Sequence, residues 1–381
     1  MDFELGEDQK LMAEAALEFA EKKLKPIAEK MDEEEAVPPE IYSELGELGY
    51  FGMLLPEKYG GIDLDMLSYV CALEELSKGS AAIAIGLSVH NSLCCRAVYE
   101  FGSDYLKEKY LSGMASGELF GSYCLSEAGS GTDAGSLRCA ADEVDDGYIL
   151  NGTKSWITSA GYAGVFIVFA LTDKTAGPKG ISCFIVEKDT PGLNLGAKEK
   201  KMGIKPSDTR EVSFIDCKIP KENLIGEKNQ GFKIALSLLD NGRVGVAAQA
   251  VGIAQAAFEE AYKYAQEREQ FDQPIANFQI IQFKLADMAM KIEAARLLTH
   301  KAAFLKEKGR ASRLCSMAKL FASETANWVA NQAVQIHGGY GYVKEYPVER
   351  YFRDARVTEI YEGTSEAQRM VIYRSLDRKE Q

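Results

Sequence analysis

The chain contains 381 residues, of which 46% are hydrophobic and 27% are charged, a composition typical of a folded globular protein. Its length predicts two or three domains of ordinary size. The 44 basic and 57 acidic side chains give a net charge of −13, which disfavours nucleic acid or an anionic membrane as the main partner.

Several features predict a cytoplasmic protein without a metal site. The first ten residues are acidic and lack the basic-then-apolar pattern of a signal peptide. The longest apolar run, at 163–171, is far shorter than the ~20 residues of a membrane-spanning helix, so we expect no membrane insertion. The eight cysteines form no CxxC pair and are expected to be buried free thiols, and the three histidines are widely separated.

The first zone of the chain, residues 1–120, shows helical spacing of apolar residues, for example at Met12, Ala16 and Phe19. A second helix is predicted to begin at Pro39, because proline fits the first turn of a helix. We therefore expect an N-terminal helical domain.

Residues 121–230 instead contain short β-type runs separated by Gly, Asp and Pro. Short strands without intervening helices predict an antiparallel barrel or sandwich. The runs are LFGSYCLSE at 119–127, YILNGTKSWITS at 148–159, VFIVFAL at 165–171, ISCFIVEK at 181–188 and EVSFIDCKI at 211–219.

Helical spacing returns in residues 231–381, which are predicted to form a second helical domain. Ile281, Leu285, Met288 and Ile292 are expected to share one face of a long helix. Met317, Leu320 and Trp328 are expected to share one face of another. The second of these helices is predicted to stop at the glycines of HGGYGY, residues 337–342. The chain is thus predicted to be mostly α with a central β-barrel domain.

Common nucleotide and hydrolase motifs are missing from the sequence. The glycines of GSGTDAG, residues 129–135, are one residue off the dinucleotide-binding spacing and follow a strand in an all-β zone. There is no GxxxxGK[ST] phosphate loop and no GxSxG elbow. A Rossmann site and serine hydrolysis of the α/β-hydrolase type are therefore disfavoured.

The remaining motifs are ambiguous when each is taken alone. In IYEGTSEAQ, residues 360–368, a carboxylate precedes a glycine, so the backbone could approach a ligand, but a solvated Glu beside a helix cap fits equally well. The tryptophan of SWITSAG, residues 155–161, could be a core residue or one wall of a ligand site. The glycine-rich turn of YCLSEAGSGTD, residues 123–133, offers hydroxyls and amides to a polar ring or phosphate, or is an ordinary loop.

In their order and spacing, however, the motifs together closely resemble the acyl-CoA dehydrogenase family, in particular its short-chain, butyryl-CoA-type branch. The resemblance extends over essentially the whole chain. Its segments are LPEKYGG (55–61), SVHNSL (88–93), YCLSEAGSGTD (123–133), KSWITSAG (154–161), ISCFIVEKDTPG (181–192), LDNGRVGVAAQAVG (239–252), REQFDQPIANFQIIQFKLADM (268–288), AVQIHGGYGY (333–342) and EYPVERYFRDARVTEIYEGTSE (345–366).

The resemblance implies an N-terminal helical domain (1–120), a middle β-barrel (121–230) and a C-terminal helical-bundle domain (231–381). It further implies a homotetramer that binds FAD between its subunits. The implied reaction is α,β-dehydrogenation of a short-chain acyl-CoA to the trans-2-enoyl-CoA, with an electron-transfer flavoprotein as the acceptor.

Glu362 matches the catalytic base of the family. It would abstract the α-proton while the β-hydride passes to the flavin N5, and burial should raise its pKa toward neutrality. The family holds the thioester oxygen between the backbone N–H of this residue and a flavin hydroxyl. Some relatives carry the base at the position of Gly242, so Glu362 has no competitor here.

The resemblance also assigns binding residues. Those matched to the FAD site are Tyr123, Leu125, Ser126, Thr132, Trp156, Ile157, Thr158, Arg268, Phe271, Gln279, Gln335, Gly338, Gly339, Thr364 and Glu366. Among these, Arg268, Phe271 and Gln279 would reach the FAD of a neighbouring subunit. Those matched to the acyl-CoA site are Thr132, Asp240, Arg243, Tyr361 and Gly363.

The sequence departs from the family pattern at several positions. Ala128 replaces the usual Pro, Asp272 the usual Gly and Glu366 the more common amide. Both acidic residues would lie near the predicted pyrophosphate and could weaken flavin retention. After SVHNSL, the sequence Cys94-Cys95-Arg96 replaces an apolar run, and Arg96 is either a contact for a carboxylated acyl group or a helix-surface residue.

Three other functions remain open at this level. The same chemistry could act on a branched, cyclic or dicarboxylic acyl-CoA. Direct reaction with O₂ is disfavoured, since such relatives are commonly longer. A non-catalytic helical scaffold is the alternative outside the enzyme class, and the retained Glu362 argues against it.

Overall fold

The computed structural model describes residues 4–309 and 311–376 and has the predicted order of helical, β and helical zones. The first zone contains α1 (Glu7–Phe19), α2 (Ala28–Glu34), α3 (Pro39–Glu47), α4 (Met66–Gly79), α5 (Ala81–Ser88), α6 (Arg96–Phe101) and α7 (Asp104–Ala115). Helix α3 begins at Pro39, as predicted. Asp65, Ser80 and Ser103 cap α4, α5 and α7 by accepting backbone N–H groups at 2.6, 3.4 and 3.3 Å.

A π-helical segment, Val89–Cys95, joins α5 to α6 into one continuous helical stretch. This stretch, Ala81–Phe101, is long and apolar enough to cross a membrane by length and composition, but 94% of its most apolar window is buried inside the protein. It is therefore the central core helix of the first zone, and its π-turn interrupts the regular helix in the segment that carries SVHNSL.

The middle zone is an eight-stranded sheet that stays open within the described residues, instead of the closed barrel that we predicted. Its strands are β1 (Gly121–Cys124), β2 (Ala140–Val144), β3 (Gly147–Thr158), β4 (Val165–Leu171), β5 (Ile181–Glu187), β6 (Leu193–Lys198), β7 (Thr209–Pro220) and β8 (Leu224–Ile225). Their order is β6-β7-β3-β2-β4-β5-β8, and β1 adds to β4.

The sheet departs from a simple antiparallel barrel at strand β4. Both β1 and β2 pair with the same strand, each in the parallel direction, β1 over four residues and β2 only at Ala140 with Leu171. Because this edge of β4 is shared between two strands, the sheet branches there, and the terminal strands β6 and β8 make no pairing with each other in the described part of the chain.

Alternate residues of β4 pack into two different cores. Val165, Ile167 and Phe169 belong to the large core shared with the helices, whereas Phe166 and Val168 belong to a smaller core on the other face of the sheet. A strand buried on both faces needs apolar residues at every position. This explains the uninterrupted apolar run at 163–171.

The last zone contains α8 (Gly231–Glu267), the short strands β9 (Glu269–Gln270) and β10 (Gln273–Pro274), α9 (Gln279–Glu307), α10 (Ser312–His337), α11 (Val348–Val357) and α12 (Ser365–Ser375). Helix α10 stops at the predicted glycines. Leu285, Met288 and Ile292 lie on the buried face of α9, as predicted, whereas Ile281 is only half-buried.

The prediction that Met317, Leu320 and Trp328 form the buried face of α10 is wrong. Met317, Leu320 and Trp328 are only half-buried, whereas the fully buried face consists mostly of small residues such as Ala318, Ala322 and Ala326. Helix α10 packs mainly on α8, whose buried face is also rich in Ala and Gly. Small side chains on both buried faces allow two helices to pack closely. The largest apolar residues of α10 therefore lie beside the contact with α8 and not in it.

All eight cysteines are buried free thiols, as predicted. Within residues 4–309 and 311–376 no group of three or more His, Cys, Asp or Glu side chains is placed to hold a metal ion.

Candidate active site

Glu362 lies in the short turn between α11 and α12. Its backbone is left-handed, with φ of 52°, and Gly363 follows with φ of 91°. Thr364 then caps α12 by accepting the N–H of Ala367 at 3.2 Å. A non-glycine residue with positive φ is strained and persists only where the surroundings hold it.

The surroundings hold this turn by its carbonyl groups. Lys319 Nζ donates to the carbonyl of Gly363 at 2.7 Å. Gln368 Nε2 donates to the carbonyls of Glu362 and Gly363 at 3.0 and 2.9 Å. Lys319 and Gln368 are fully buried, so these bonds form in a region shielded from water.

The turn leaves two polar groups of Glu362 without protein partners. Its carboxyl Oε2 is shielded from solvent and forms no hydrogen bond. Its backbone N–H donates to no acceptor among the described residues. Unsatisfied polar groups at a shielded position are rare in folded proteins and mark this turn as a ligand site.

Burial is the main electrostatic influence on this carboxyl group. It raises the pKa of Glu362 to about 7, while the positive charges of Arg243 and Lys319 act in the opposite direction. Burial also lowers the pKa of Lys319 to about 8. A carboxyl group with a pKa near neutrality can exchange a proton with a substrate, as a general base must.

Gly242 on α8 faces the Glu362 carboxyl group. A Cβ atom added at Gly242 would lie 2.7 Å from Glu362 Oε2 and 3.2 Å from Leu93 Cδ2. Gly242, at the position where the resemblance implies that some relatives carry the base, therefore faces Glu362, and of the two residues only Glu362 has a carboxyl group.

Among the residues assigned to acyl-CoA, Asp240 and Arg243 lie one turn apart on α8, and the charge of Arg243 acts on Glu362. They form an ion pair at 2.8 Å, and Asp240 also accepts the hydroxyl of Ser312. The Nε of Arg243 is buried without a hydrogen-bond partner, which leaves a donor for a ligand. Tyr361 instead donates its hydroxyl to Gln249, so that its polar end is already used within the protein.

The predicted flavin residues of the middle zone differ in what they expose. Trp156 is 64% exposed although it lies within β3, and its φ is 64°. This exposure contradicts the core interpretation and fits a ligand wall. The hydroxyl of Tyr123 is buried without a partner. Leu125 and Ile157 are buried and have no polar side-chain atom, so each can offer a polar ligand only its backbone.

A second group of predicted flavin residues lies elsewhere, around a cavity of about 640 Å³. Arg268, Gly338 and Gly339 line it, and a Cβ atom added at either glycine would meet nothing within 4 Å. Phe271, Gln279 and Gln335 are exposed but do not line it. Backbone amides bordering open space beside an arginine suit a phosphate group.

Three other predicted residues are exposed or have their side chains already used within the protein. Thr132 is exposed in the loop after β1, and Glu366 is exposed on the first turn of α12. The Thr364 side chain is used as a helix cap. The structure therefore brings Glu362, Gly363, Asp240, Arg243 and Tyr123 toward one place but does not bring Arg268 and its neighbours to it.

The departures from the family pattern also have defined surroundings. Arg96 Nε donates to Glu100 at 2.6 Å, one turn along the same helix, which favours the helix-surface interpretation. Cys94 is fully buried, and burial raises its pKa, with a smaller contribution from the negative charge of Glu362. Ala128 is exposed.

Two residues of these sites were not predicted from the sequence. Lys319 occupies the buried face of α10 between Cys315 and Ala322, and a lysine on an apolar helix face is a signal that the sequence contains. His337 lines the second cavity and stacks on Tyr264 at 4.2 Å, but its motif indicated only a helix end.

These features define a flavin-dependent oxidoreductase of known type. Models of the acyl-CoA dehydrogenase N-terminal, middle and C-terminal domains match residues 6–118, 122–217 and 229–376. The chain therefore belongs to the acyl-CoA dehydrogenase family, which is FAD-dependent. The predicted family, enzyme class and three-domain fold are confirmed, with an open sheet in place of the barrel.

Within this family, several of the similar proteins are described as short-chain specific. The mitochondrial short-chain specific acyl-CoA dehydrogenase of Rattus norvegicus is 50% identical over 370 residues, 97% of this chain and 90% of that protein. The short-chain specific acyl-CoA dehydrogenase of Clostridium acetobutylicum is 47% identical over 373 residues, 98% of each chain.

Two solved structures are very similar to this chain. The butyryl-CoA dehydrogenase of Megasphaera elsdenii has a TM-score of 0.97 and 48% identity, covering 99% of this chain and 100% of that one. A chain in a structure described as the electron transferring flavoprotein of Acidaminococcus fermentans has a TM-score of 0.98 and 49% identity, with complete coverage of both chains.

Proposed function

We propose that this chain dehydrogenates a short-chain acyl-CoA to the trans-2-enoyl-CoA in an FAD-dependent reaction, with Glu362 as the base that removes the α-proton. The observation that carries this proposal is the carboxyl oxygen Oε2 of Glu362, which is shielded from solvent and has no hydrogen-bond partner, on a strained turn. The short-chain preference rests on relatives that are 47–50% identical to this chain over nearly its whole length.

The surroundings of Glu362 suit proton removal from a weak carbon acid. The group must be ionised before it can accept the proton, and the pKa of about 7 leaves a substantial carboxylate fraction at neutral pH. Accepting the proton makes the side chain neutral, which is the form that its buried surroundings favour. A general base positioned in this way typically contributes 10²–10⁴-fold to the rate.

The same residue offers a donor for the charge that develops on the substrate. Loss of the α-proton places negative charge on the thioester oxygen, and the Glu362 N–H is free to donate to it. One preorganised donor of this kind contributes roughly 10²–10³-fold. Because base and donor belong to one residue, the bonds to Lys319 and Gln368 position both together.

The FAD assignment fits the polar groups and open surfaces of both predicted regions. When bound, FAD supplies the acceptor for the β-hydride. Tyr123, which lies near Glu362, and the exposed Trp156 would contact the ring system, and Arg268 with the amides of Gly338 and Gly339 would hold a pyrophosphate. Since these groups lie apart in one chain, we propose that the second group acts on the FAD of a neighbouring subunit.

The partners follow from the same proposal. An electron-transfer flavoprotein is the proposed acceptor, in line with the description of the Acidaminococcus fermentans structure. A homotetramer and a cytoplasmic location remain proposals. The dicarboxylic alternative gains no support from Arg96, because its guanidinium is paired with Glu100.

The decisive experiment compares Glu362→Gln with Glu108→Gln, which removes an exposed carboxylate of α7 that has no proposed role in the site. Anaerobic mixing with butyryl-CoA should bleach the flavin in the wild type and in E108Q. In E362Q the rate should fall by at least ~10²-fold although FAD stays bound. In the wild type, the bleaching rate should rise with pH through about 7, as the carboxylate forms.

Fast bleaching by E362Q would remove Glu362 from its proposed role. Purified protein without any flavin absorbance would instead favour the non-catalytic scaffold. A panel of acyl-CoA esters tests the chain-length assignment, and a strong preference for a cyclic or dicarboxylic ester would overturn it.

A further inference from the structure

Lys319 is a buried cation that the proposed chemistry does not yet explain. Its side chain is 0% exposed on the apolar face of α10, and Nζ donates to the Gly363 carbonyl at 2.7 Å. Within the described residues it forms no ion pair with a carboxylate. Burying an ammonium group without such a pair is costly, and the cost calls for a function or a compensating interaction.

The Glu362 carboxyl group is the leading acidic group in the electrostatic surroundings of Lys319. Each group acts on the other through space, since Lys319 lowers the pKa of Glu362 and Glu362 raises that of Lys319. Several elements of the fold contribute titratable groups around Glu362. These groups are Tyr69 on α4, Cys94 on the π-helical segment, Tyr123 on β1, Arg243 on α8, Lys319 on α10 and Tyr361, which directly precedes Glu362.

Only two of these groups, Arg243 and Lys319, are cations, and they differ in their ion pairing. Arg243 is held by its ion pair with Asp240, which offsets its charge. Lys319 has no such carboxylate partner and is bonded to the residue next to Glu362. Its positive charge is therefore the less compensated of the two.

We propose that Lys319 is a positioning residue for the base, in which Nζ holds the left-handed turn at Gly363 and its charge favours the carboxylate form of Glu362. This inference rests on the proposed function of Glu362. Gln368 performs only the first of the two tasks, because its amide donates to the Gly363 carbonyl, and also to that of Glu362, but carries no charge.

The two tasks make different predictions for substitutions. Lys319→Met removes both the donor and the charge with little change in side-chain length, whereas Gln368→Met removes donors alone. Misplacement of a catalytic group by about 1 Å costs ~10²-fold in rate, so both variants should bleach the flavin with butyryl-CoA more slowly. Without the charge, the carboxylate is less favoured, so the pH at which bleaching accelerates should rise in K319M alone, by about one pH unit or more.

The experiment measures the rate of anaerobic flavin bleaching by butyryl-CoA as a function of pH in FAD-loaded wild type, K319M, Q368M and K301M. Lys301 is an exposed lysine of α9 and controls for the change in net charge. The expected result is a shifted pH profile in K319M and unshifted profiles in Q368M and K301M. Flavin content and melting temperature are recorded for every variant.

If flavin bleaching accelerates at the same pH in K319M as in the wild type, the charge of Lys319 does not favour the carboxylate. Lys319 would then be a structural residue only. If K319M does not fold, K319Q replaces it as a neutral variant, with the same expected shift. The E362Q measurement separates this inference from the proposed function: fast bleaching by E362Q refutes the base, whereas slow bleaching by E362Q with an unshifted K319M profile refutes only Lys319.

Discussion

At the scale of single residues, position 242 controls the space available to the Glu362 carboxyl group. The absence of a side chain at Gly242 leaves room for Oε2, which would lie 2.7 Å from an added Cβ. The contact involves the far end of a flexible side chain, so the carboxyl group can move aside without disturbing the backbone. A methyl group here should therefore affect the chemistry more than the fold.

We predict that Gly242→Ala slows flavin bleaching by butyryl-CoA at least ~10-fold, because a small displacement of the base weakens its alignment with the α-proton. The free energy of unfolding should change by no more than about 1 kcal/mol, since alanine is more favourable than glycine in a helix interior. Denaturant unfolding and anaerobic bleaching measure the two effects. Full activity in G242A would mean that the carboxyl group does not occupy the position described.

At the scale of secondary-structure elements, the β9–β10 hairpin contains a local conflict between residue type and backbone. Its two-residue turn, Phe271-Asp272, has φ of 54° and 60°. Such turns need positive φ at both central residues and favour glycine at the second. Asp272 occupies the position where the family usually has Gly, and the side chain of Phe271 is 87% exposed.

We predict that Asp272→Gly raises the free energy of unfolding by about 0.5–1 kcal/mol, because glycine adopts positive φ without strain. Asp272→Ala is the matched variant, since it removes the charge but keeps the Cβ atom and should give no gain. If the charge lies near a pyrophosphate, both variants should retain more flavin through gel filtration. Equal stability of the two variants would show that the turn is not strained.

At the scale of the whole molecule, α11 joins all three zones of the chain. Arg353 forms an ion pair with Asp32 of α2 at 2.7 Å and donates to the Met202 carbonyl at 3.3 Å. Asp354 accepts the N–H of Ile204 at 2.5 Å. Burial raises the pKa of Asp354 from 3.8 to about 6, against the opposing effects of its backbone bond and nearby arginines.

This pKa makes stability depend on pH in a defined direction. Between about pH 4 and 6 the folded protein binds a proton at Asp354 that the unfolded chain has already lost, so this residue's contribution to stability falls as the pH rises. Asp354→Asn should remove that dependence and raise the free energy of unfolding at pH 7 by up to about 3 kcal/mol. The amide oxygen can still accept the N–H of Ile204.

Denaturant unfolding at pH 4 and pH 7 measures this effect, with Asp189→Asn as the control at an exposed aspartate. We expect D354N to gain stability relative to the wild type at pH 7 and to differ little at pH 4. A loss of stability at pH 7 would show that the ionised carboxylate of Asp354 is needed to join the zones.

Much of the fold could be predicted from local patterns. The helical, β and helical zones, the helix start at Pro39, the helix end at His337 and the buried free thiols follow from periodicity, proline and glycine chemistry, and composition. The same patterns did not predict that β4 is shared by β1 and β2, since strand pairing depends on contacts between distant segments.

For the candidate site, the order of the motifs was enough to propose Glu362 and to predict the family, which the domain models confirm, because each motif is continuous in the chain. Only the tertiary structure reveals that Gly242 faces Glu362, that Lys319 holds its turn and that the predicted flavin residues form two separate groups. The reason is physical. A local sequence determines backbone preference and polarity, whereas burial and the distance between charges arise only when helices and sheet pack together and exclude water.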